Sequence, residues 1–322
     1  MAQVSIIMPN YNKGEFIEAA IESLRAQTMS DWELIFVDDQ STDISLEVVR
    51  RLADADRRIR IEVNPGVRNG SACRNLGLNL ATGEYLVFMD SDDCLSKTCL
   101  EGRLCRIEEG KLDAAIFSMG TFRNEVGDLS SVWRPVKIGA LERFLSHRMP
   151  WAILSPIWRR EWVLQQGGFN PRYPRLQDVE FHTRCLLNPA FKFEVFPDMV
   201  DCYYRLPVPE AGTSVVKLKP TVEGFSLYLD EFTQKAGNRS GLLSLSLFGA
   251  IERICRAYRE RAIARKLMAE QCELLLKGSL SESCRWSILV IRIYLFLFGY
   301  MRLPARGTNR VIRLLLSLSI RN

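Results

Sequence analysis

The chain has 322 residues, 47% hydrophobic and 25% charged, a balance that fits one large globular domain or a domain with an appendage. It excludes a disordered, collagenous or disulfide-stapled protein. The net charge of +5 is uneven: residues 253–322 carry 14 Lys and Arg against 4 Asp and Glu, and residues 1–252 carry 29 against 34. A mildly acidic body with a basic tail points to an anionic surface as the partner of the tail.

Nine cysteines without a C-x-x-C pair, and two histidines (His147 and His182) away from any cysteine cluster, argue against a zinc site. Reduced thiols of a cytoplasmic protein are the plain reading. The opening MAQVSIIMPNYN runs straight into an apolar strand, without the basic and long apolar regions of a cleaved signal.

In chain order, Val4–Met8 reads as a strand. Gly14–Ala26 follows as a helix with Phe16, Ile17, Ala20, Ile21 and Leu24 on one face. Leu34–Val37 is a second strand, and Thr42-Asp43 can cap a helix carrying Ile44, Leu46, Val48, Val49 and Leu52. Ile59–Val63 is a third strand, Ala72–Leu80 a helix and Tyr85–Met89 a fourth strand. Strand–helix units of this length predict an α/β fold with a mostly parallel sheet and helices on both faces.

Polar residues collect where each strand ends. Pro9-Asn10-Tyr11-Asn12 follows the first, Asp38-Asp39 the second, Asn64-Pro65 the third and Asp90–Asp93 the fourth. Ligands of open α/β sheets bind outside the carboxyl ends of the strands. No G-x-G-x-x-G follows the first strand and no Walker A motif occurs, so a glycine-rich phosphate cradle is absent. Hard carboxylate oxygens at a strand mouth suit Mg²⁺ or Mn²⁺, which bridges carboxylate and phosphate. A solvated acidic turn would look the same in isolation.

Four segments in order resemble the family 2 glycosyltransferases of the GT-A fold: VSIIMPNYNKGEFIEAAIESLRAQT, ELIFVDDQSTD, NGSACRNLGLNLATGEYLVFMDSDD and LQDVEFHTRCL. The resemblance is dense over residues 3–95 and looser to about 206. It implies a Rossmann-like GT-A catalytic domain over residues 1–215, with 1–95 binding the nucleotide-sugar and 96–215 carrying the acceptor side and catalytic base. A helical C-terminal region, 216–322, would follow. Carried over by position, Pro9 and Tyr11 line the nucleoside pocket, and Asp39 accepts from the uracil or ribose. Asp38 orients that turn, and Arg74 reaches the base or phosphates. Asp90 meets ribose or metal, and Asp92 is the main metal ligand. Gly167 and Gly168 shape the acceptor region, with Arg184 supporting the base and Arg205 neutralising diphosphate. Asp178 occupies the position of the catalytic base; Gln177 precedes it where the family carries an acid, and Glu180 competes for the role.

The tail segments IERICRAYRERAIARKLMAE and WSILVIRIYLFLFGYM read as basic amphipathic helices, the second too short at 16 residues for a simple span. They are expected to lie at an anionic membrane surface, placing the protein on the inner face of the cytoplasmic membrane. Packing of those helices on the catalytic domain is the alternative. The arginines alternate with long apolar runs, which argues against nucleic acid. The expected activity is inverting, metal-dependent transfer of one sugar from a nucleotide-sugar, a UDP-sugar by the resemblance, to a saccharide or lipid-linked saccharide in cell-surface polysaccharide assembly. A sugar nucleotidyltransferase and a non-catalytic nucleotide-sugar-binding scaffold stay open as alternatives.

Overall fold

The computed structural model describes residues 2–207, 218–236, 246 and 248–250. The two expected tail helices fall outside these residues. Among the described residues no helix is long and apolar enough to cross a membrane.

The first part of the chain runs β1 (Val4–Asn10), α1 (Gly14–Arg25), β2 (Trp32–Asp38), α2 (Ser45–Ala55), β3 (Ile59–Val63), α3 (Gly70–Leu80) and β4 (Tyr85–Phe88). It continues with β5 (Cys94–Leu95), α4 (Cys99–Glu109), β6 (Ala114–Phe122), β7 (Val132–Trp133) and α5 (Ala140–Leu145). Then come β8 (Pro156–Arg159), α6 (Arg160–Gln165), α7 (Gln177–Leu187), β9 (Phe193–Arg205) and α8 (Leu218–Ala236).

Two compact units result. The first comprises Met1–Ala140, Pro150–Pro171 and Arg184–Pro209; the second comprises Leu141–Met149, Arg172–Thr183 and Glu210–Asn322. The units therefore interleave along the chain, whereas the sequence reading places a single boundary near residue 215.

The first unit is built on one sheet, with order β3-β2-β1-β4-β8-β6-β9-β5 and β7 added beside β6. β1, β2, β3 and β4 pair in parallel, as the strand–helix alternation predicts. β8 then enters antiparallel between β4 and β6, so the complete sheet is mixed. Alternation along each strand assigns the faces. Val4, Ile6 and Met8 pack with Ile17, Ile21 and Leu24 of α1 and with the apolar sides of α2 and α4. On the opposite face Ile7 meets α3 so closely that a Cβ on Gly77 would lie 2.5 Å from it. Glycine is required there to let helix and strand approach.

The second unit has its own apolar interior. The His147 ring lies 4.6 Å from Phe225 and 5.0 Å from Tyr228, and the Tyr228 hydroxyl meets Thr183 at 2.7 Å.

Candidate active site

The chain passes from β1 outward through β2 to β3, then returns to the other side of β1 as β4. The carboxyl ends of β1 and β4 thus flank a topological switch point, where a crevice opens in sheets of this kind. There the first unit holds a cleft of about 320 Å³, lined by residues that include Pro9, Tyr11, Asp39, Arg74, Asp90 and Asp92. These are the donor-side residues expected from the sequence, except Asp38, which lies buried beneath them. A larger recess of about 670 Å³ opens at the other end of the strands, beside Gln3, Thr82, Glu84 and Arg159. Its arginine is already paired with Glu84 at 2.8 Å, and it gathers none of the expected site residues.

Each wall of the cleft is held by bonds that the backbone geometry demands. Asp38, fully buried, accepts from the Asn10 amide at 2.9 Å and from the Ser41 backbone at 2.8 Å. Asp39 accepts from the Asn64 amide at 2.6 Å. The Cys73 thiol lies at the same place: burial first, and the Asp39 charge second, push it above its ordinary range, so it is a neutral donor toward Asp39. One face of Asp39 is thereby fixed and the rest opens to the cleft. Tyr11 is 43% exposed at the rim, and its hydroxyl accepts from Arg68 at 2.5 Å. An exposed ring that is also fixed offers a stacking surface for a base.

The acidic turn answers the question that its composition raises. Arg74 donates to Asp90 at 2.7 Å, and the Lys13 ammonium stands 2.6 Å from Asp92. Asp93, by contrast, is buried; desolvation first, then the charges of Asp90 and Asp92, raise its pKa well above the carboxylate range. It serves the turn structurally, accepting from the Arg205 backbone at 3.0 Å. Asp90 and Asp92 are the carboxylates of the turn that line the cleft. Among the described residues no cluster of three or more His, Cys, Asp or Glu forms a protein-only metal cage. Two carboxylates facing a cleft fit a hard cation that takes its other ligands from phosphate and water.

The Gly-Gly-Phe segment behaves as expected of a tight turn. Gly167 and Gly168 have φ of +77° and +66°, the left-handed region. A Cβ on Gly168 would also strike the Asn75 side chain at 2.5 Å. Asn75 of α3 bonds both backbone groups of Phe169, at 2.7 and 2.8 Å. This places the Phe169 ring edge-on against Phe88, 4.9 Å away, and 5.5 Å from the Arg74 guanidinium. The turn thus steadies Arg74 from behind.

Arg184 donates to the carbonyls of Gln166 and Gly168, holding that turn. Arg205, expected at the diphosphate, donates instead to the backbone carbonyls of Asp92, Arg123 and Asn124. Its guanidinium also lies 4.6 Å from the Phe16 ring and 4.3 Å from Phe122. In this structure its hydrogen bonds tie the acidic turn to the end of β6. Asp178 sits half-buried in the first turn of α7, whereas Glu180 is fully buried.

Lys13, Ser91 and Cys73 line the cleft without having been singled out from the sequence. A lysine three residues past the first strand was the visible signal for the cation. Nothing local marks Ser91 or Cys73, whose roles come from partners far along the chain.

The first unit is thus an open α/β sheet whose switch-point cleft is lined by carboxylates, an aromatic ring and two cationic side chains. The chain belongs to glycosyl transferase family 2, whose family model matches residues 5–197, and it has the GT-A fold. An uncharacterized glycosyltransferase of Haemophilus influenzae is 39% identical over 104 residues, covering 32% of this chain and 42% of that protein. The crystal structure of S. aureus TarS aligns over 97% of this chain and 55% of its own, at 18% identity and TM-score 0.65. The TarS 1–349 structure in complex with UDP-GlcNAc gives TM-score 0.55 at 20% identity, over 99% of this chain and 87% of that one. A Pyrobaculum calidifontis mannosyltransferase in complex with GDP-Man and Mn²⁺ gives 0.54 at 19% identity, over 92% and 88%. The chain thus spans about two fifths of the Haemophilus relative and about half of that TarS structure.

Proposed function

We propose that this protein is an inverting, metal-dependent glycosyltransferase that moves one sugar from a UDP-sugar to a hydroxyl of a saccharide acceptor. The observation that carries the reading is the single cleft joining Tyr11, Asp39, Arg74, Asp90 and Asp92 at the switch point. The nucleotide-sugars and Mn²⁺ bound by the structural neighbours agree with it.

In this reading Tyr11 stacks on the base and the free face of Asp39 accepts from its N–H. Asp92, with Asp90, would hold Mg²⁺ or Mn²⁺, which would supply positive charge for the departing diphosphate. Arg74 and Lys13, freed from the carboxylates, add positive charge beside it. Asp178 takes the proton of the attacking hydroxyl. The new C–O bond forms as the anomeric carbon–oxygen bond to phosphate breaks, and the electron pair leaves on UDP. One in-line displacement inverts the anomeric centre. The basic tail would hold the enzyme at an anionic membrane, near lipid-linked acceptors used in cell-surface polysaccharide assembly.

The test is Asp92→Ala together with chelation. Transfer is expected to vanish in the variant, and to vanish in EDTA and return with Mn²⁺ in the wild type. Full transfer in excess EDTA overturns the metal-dependent reading.

A further inference from the structure

The two halves of the cleft come from turns on different strands, and something must set their spacing. Asp38 ends β2 and Asp39 follows it, while Asp90–Asp92 follow β4; β1 lies between the two strands in the sheet. The last residue of β1 is Asn10, 3% exposed. Its amide nitrogen donates to Asp38 at 2.9 Å and to the Ser41 hydroxyl at 3.1 Å. Its carbonyl oxygen accepts from the Ser91 hydroxyl at 2.7 Å. Ser91, the middle residue of Asp90-Ser91-Asp92, is 2% exposed.

The orientation of that amide follows from its partners. Asp38 takes the Ser41 N–H on one carboxylate oxygen and the Asn10 NH₂ on the other, which leaves the Asn10 carbonyl to accept from Ser91. Both amide hydrogens and the oxygen are then used, and one planar group spans both turns. The network is buried, so losing a partner leaves polar groups without water to replace it.

We infer that Asn10 is a positioning residue that fixes the base-reading turn and the acidic turn at one spacing, so that base and diphosphate are received together. This rests on the nucleotide-sugar reading of the cleft. A residue that only stabilised β1 would influence neither ligand selectively. A residue that joins the turns influences base affinity and the metal-dependent part of diphosphate affinity, and Ser91 carries only the second.

The experiment measures three quantities by calorimetry on the full chain: uridine affinity, UDP affinity in EDTA, and UDP affinity with Mn²⁺. For Asn10→Ala, uridine affinity is expected to fall about tenfold, and the gain in UDP affinity on adding Mn²⁺ to shrink about tenfold, in line with one lost buried hydrogen bond on each side. For Ser91→Ala, the Mn²⁺ gain is expected to shrink while uridine affinity stays unchanged. The inference is overturned if Asn10→Ala alters uridine affinity alone or neither quantity. It is also overturned if Ser91→Ala keeps the full Mn²⁺ gain, an outcome readable even where Asn10→Ala does not fold. A wild type that binds neither uridine nor UDP removes the cleft reading and this inference with it; wild-type binding with unaltered variants removes only the inference.

Discussion

Asp178 and Glu180 stand two positions apart in the first turn of α7, which puts them about 200° apart around the helix. Glu180 shares its depth with Val179 and Phe181, all 0% exposed, while Asp178 keeps partial access. A general base must reach the proton it removes, so access favours Asp178. Asp178→Asn preserves shape but deletes the basic site, and transfer is expected to fall about 10²–10⁴-fold with UDP affinity unchanged. Glu180→Gln is expected to lower the thermal midpoint and leave the turnover number near wild type. Steady-state kinetics and thermal unfolding on both variants separate the roles; a dead Glu180→Gln beside an active Asp178→Asn reverses the assignment. The sequence left this pair open because both carboxylates satisfy the same short motif. They differ in helical phase and in burial.

At the scale of elements, α4 is tied to the return half of the sheet by one buried ion pair. Arg103, fully buried, donates through two nitrogens to Asp201 of β9, each at 2.8 Å, and through its third to the Leu154 carbonyl at 2.9 Å. Phe117 of β6 lies 5.2 Å from the guanidinium. Arg103→Leu leaves the buried Asp201 without its guanidinium partner, and is expected to cost about 3–5 kcal/mol, the range for breaking a buried pair from one side. Denaturant unfolding checks it; a loss below about 1 kcal/mol, the range of a surface pair, contradicts the keystone role. Nothing in the sequence announces this pair, because its partners are 98 residues apart. The same reason hides β6 to β9, whose antiparallel and bulged pairings depend on distant registers. The β1–β4 units were legible because each buries a periodic apolar face within a few residues of its own turn. Even there caps moved the ends: the Asn69 side chain accepts from Ser71 and Ala72, so α3 begins at Gly70 rather than Ala72.

At the scale of the molecule, the cleft lies where the strand order reverses, between β1 and β4. The sequence made the carboxyl ends of β1 to β4 visible as polar punctuation, and Pro9, Tyr11, Asp39, Arg74, Asp90 and Asp92 do share one cleft. It did not show that Asp93 is a buried strut, or that Arg205 holds backbone carbonyls. Those facts come from a fold that buries one carboxylate of the acidic turn and leaves its neighbours at the mouth. The central claim is that this mouth receives a UDP-sugar with a divalent cation. It is tested most directly by incubating the full chain with a panel of nucleotide-sugars and Mn²⁺, without acceptor, and identifying the released nucleotide. The account predicts slow release of UDP from at least one UDP-sugar, lost in EDTA and restored by Mn²⁺. Pyrophosphate release, or no turnover and no binding with any UDP-sugar, would contradict it.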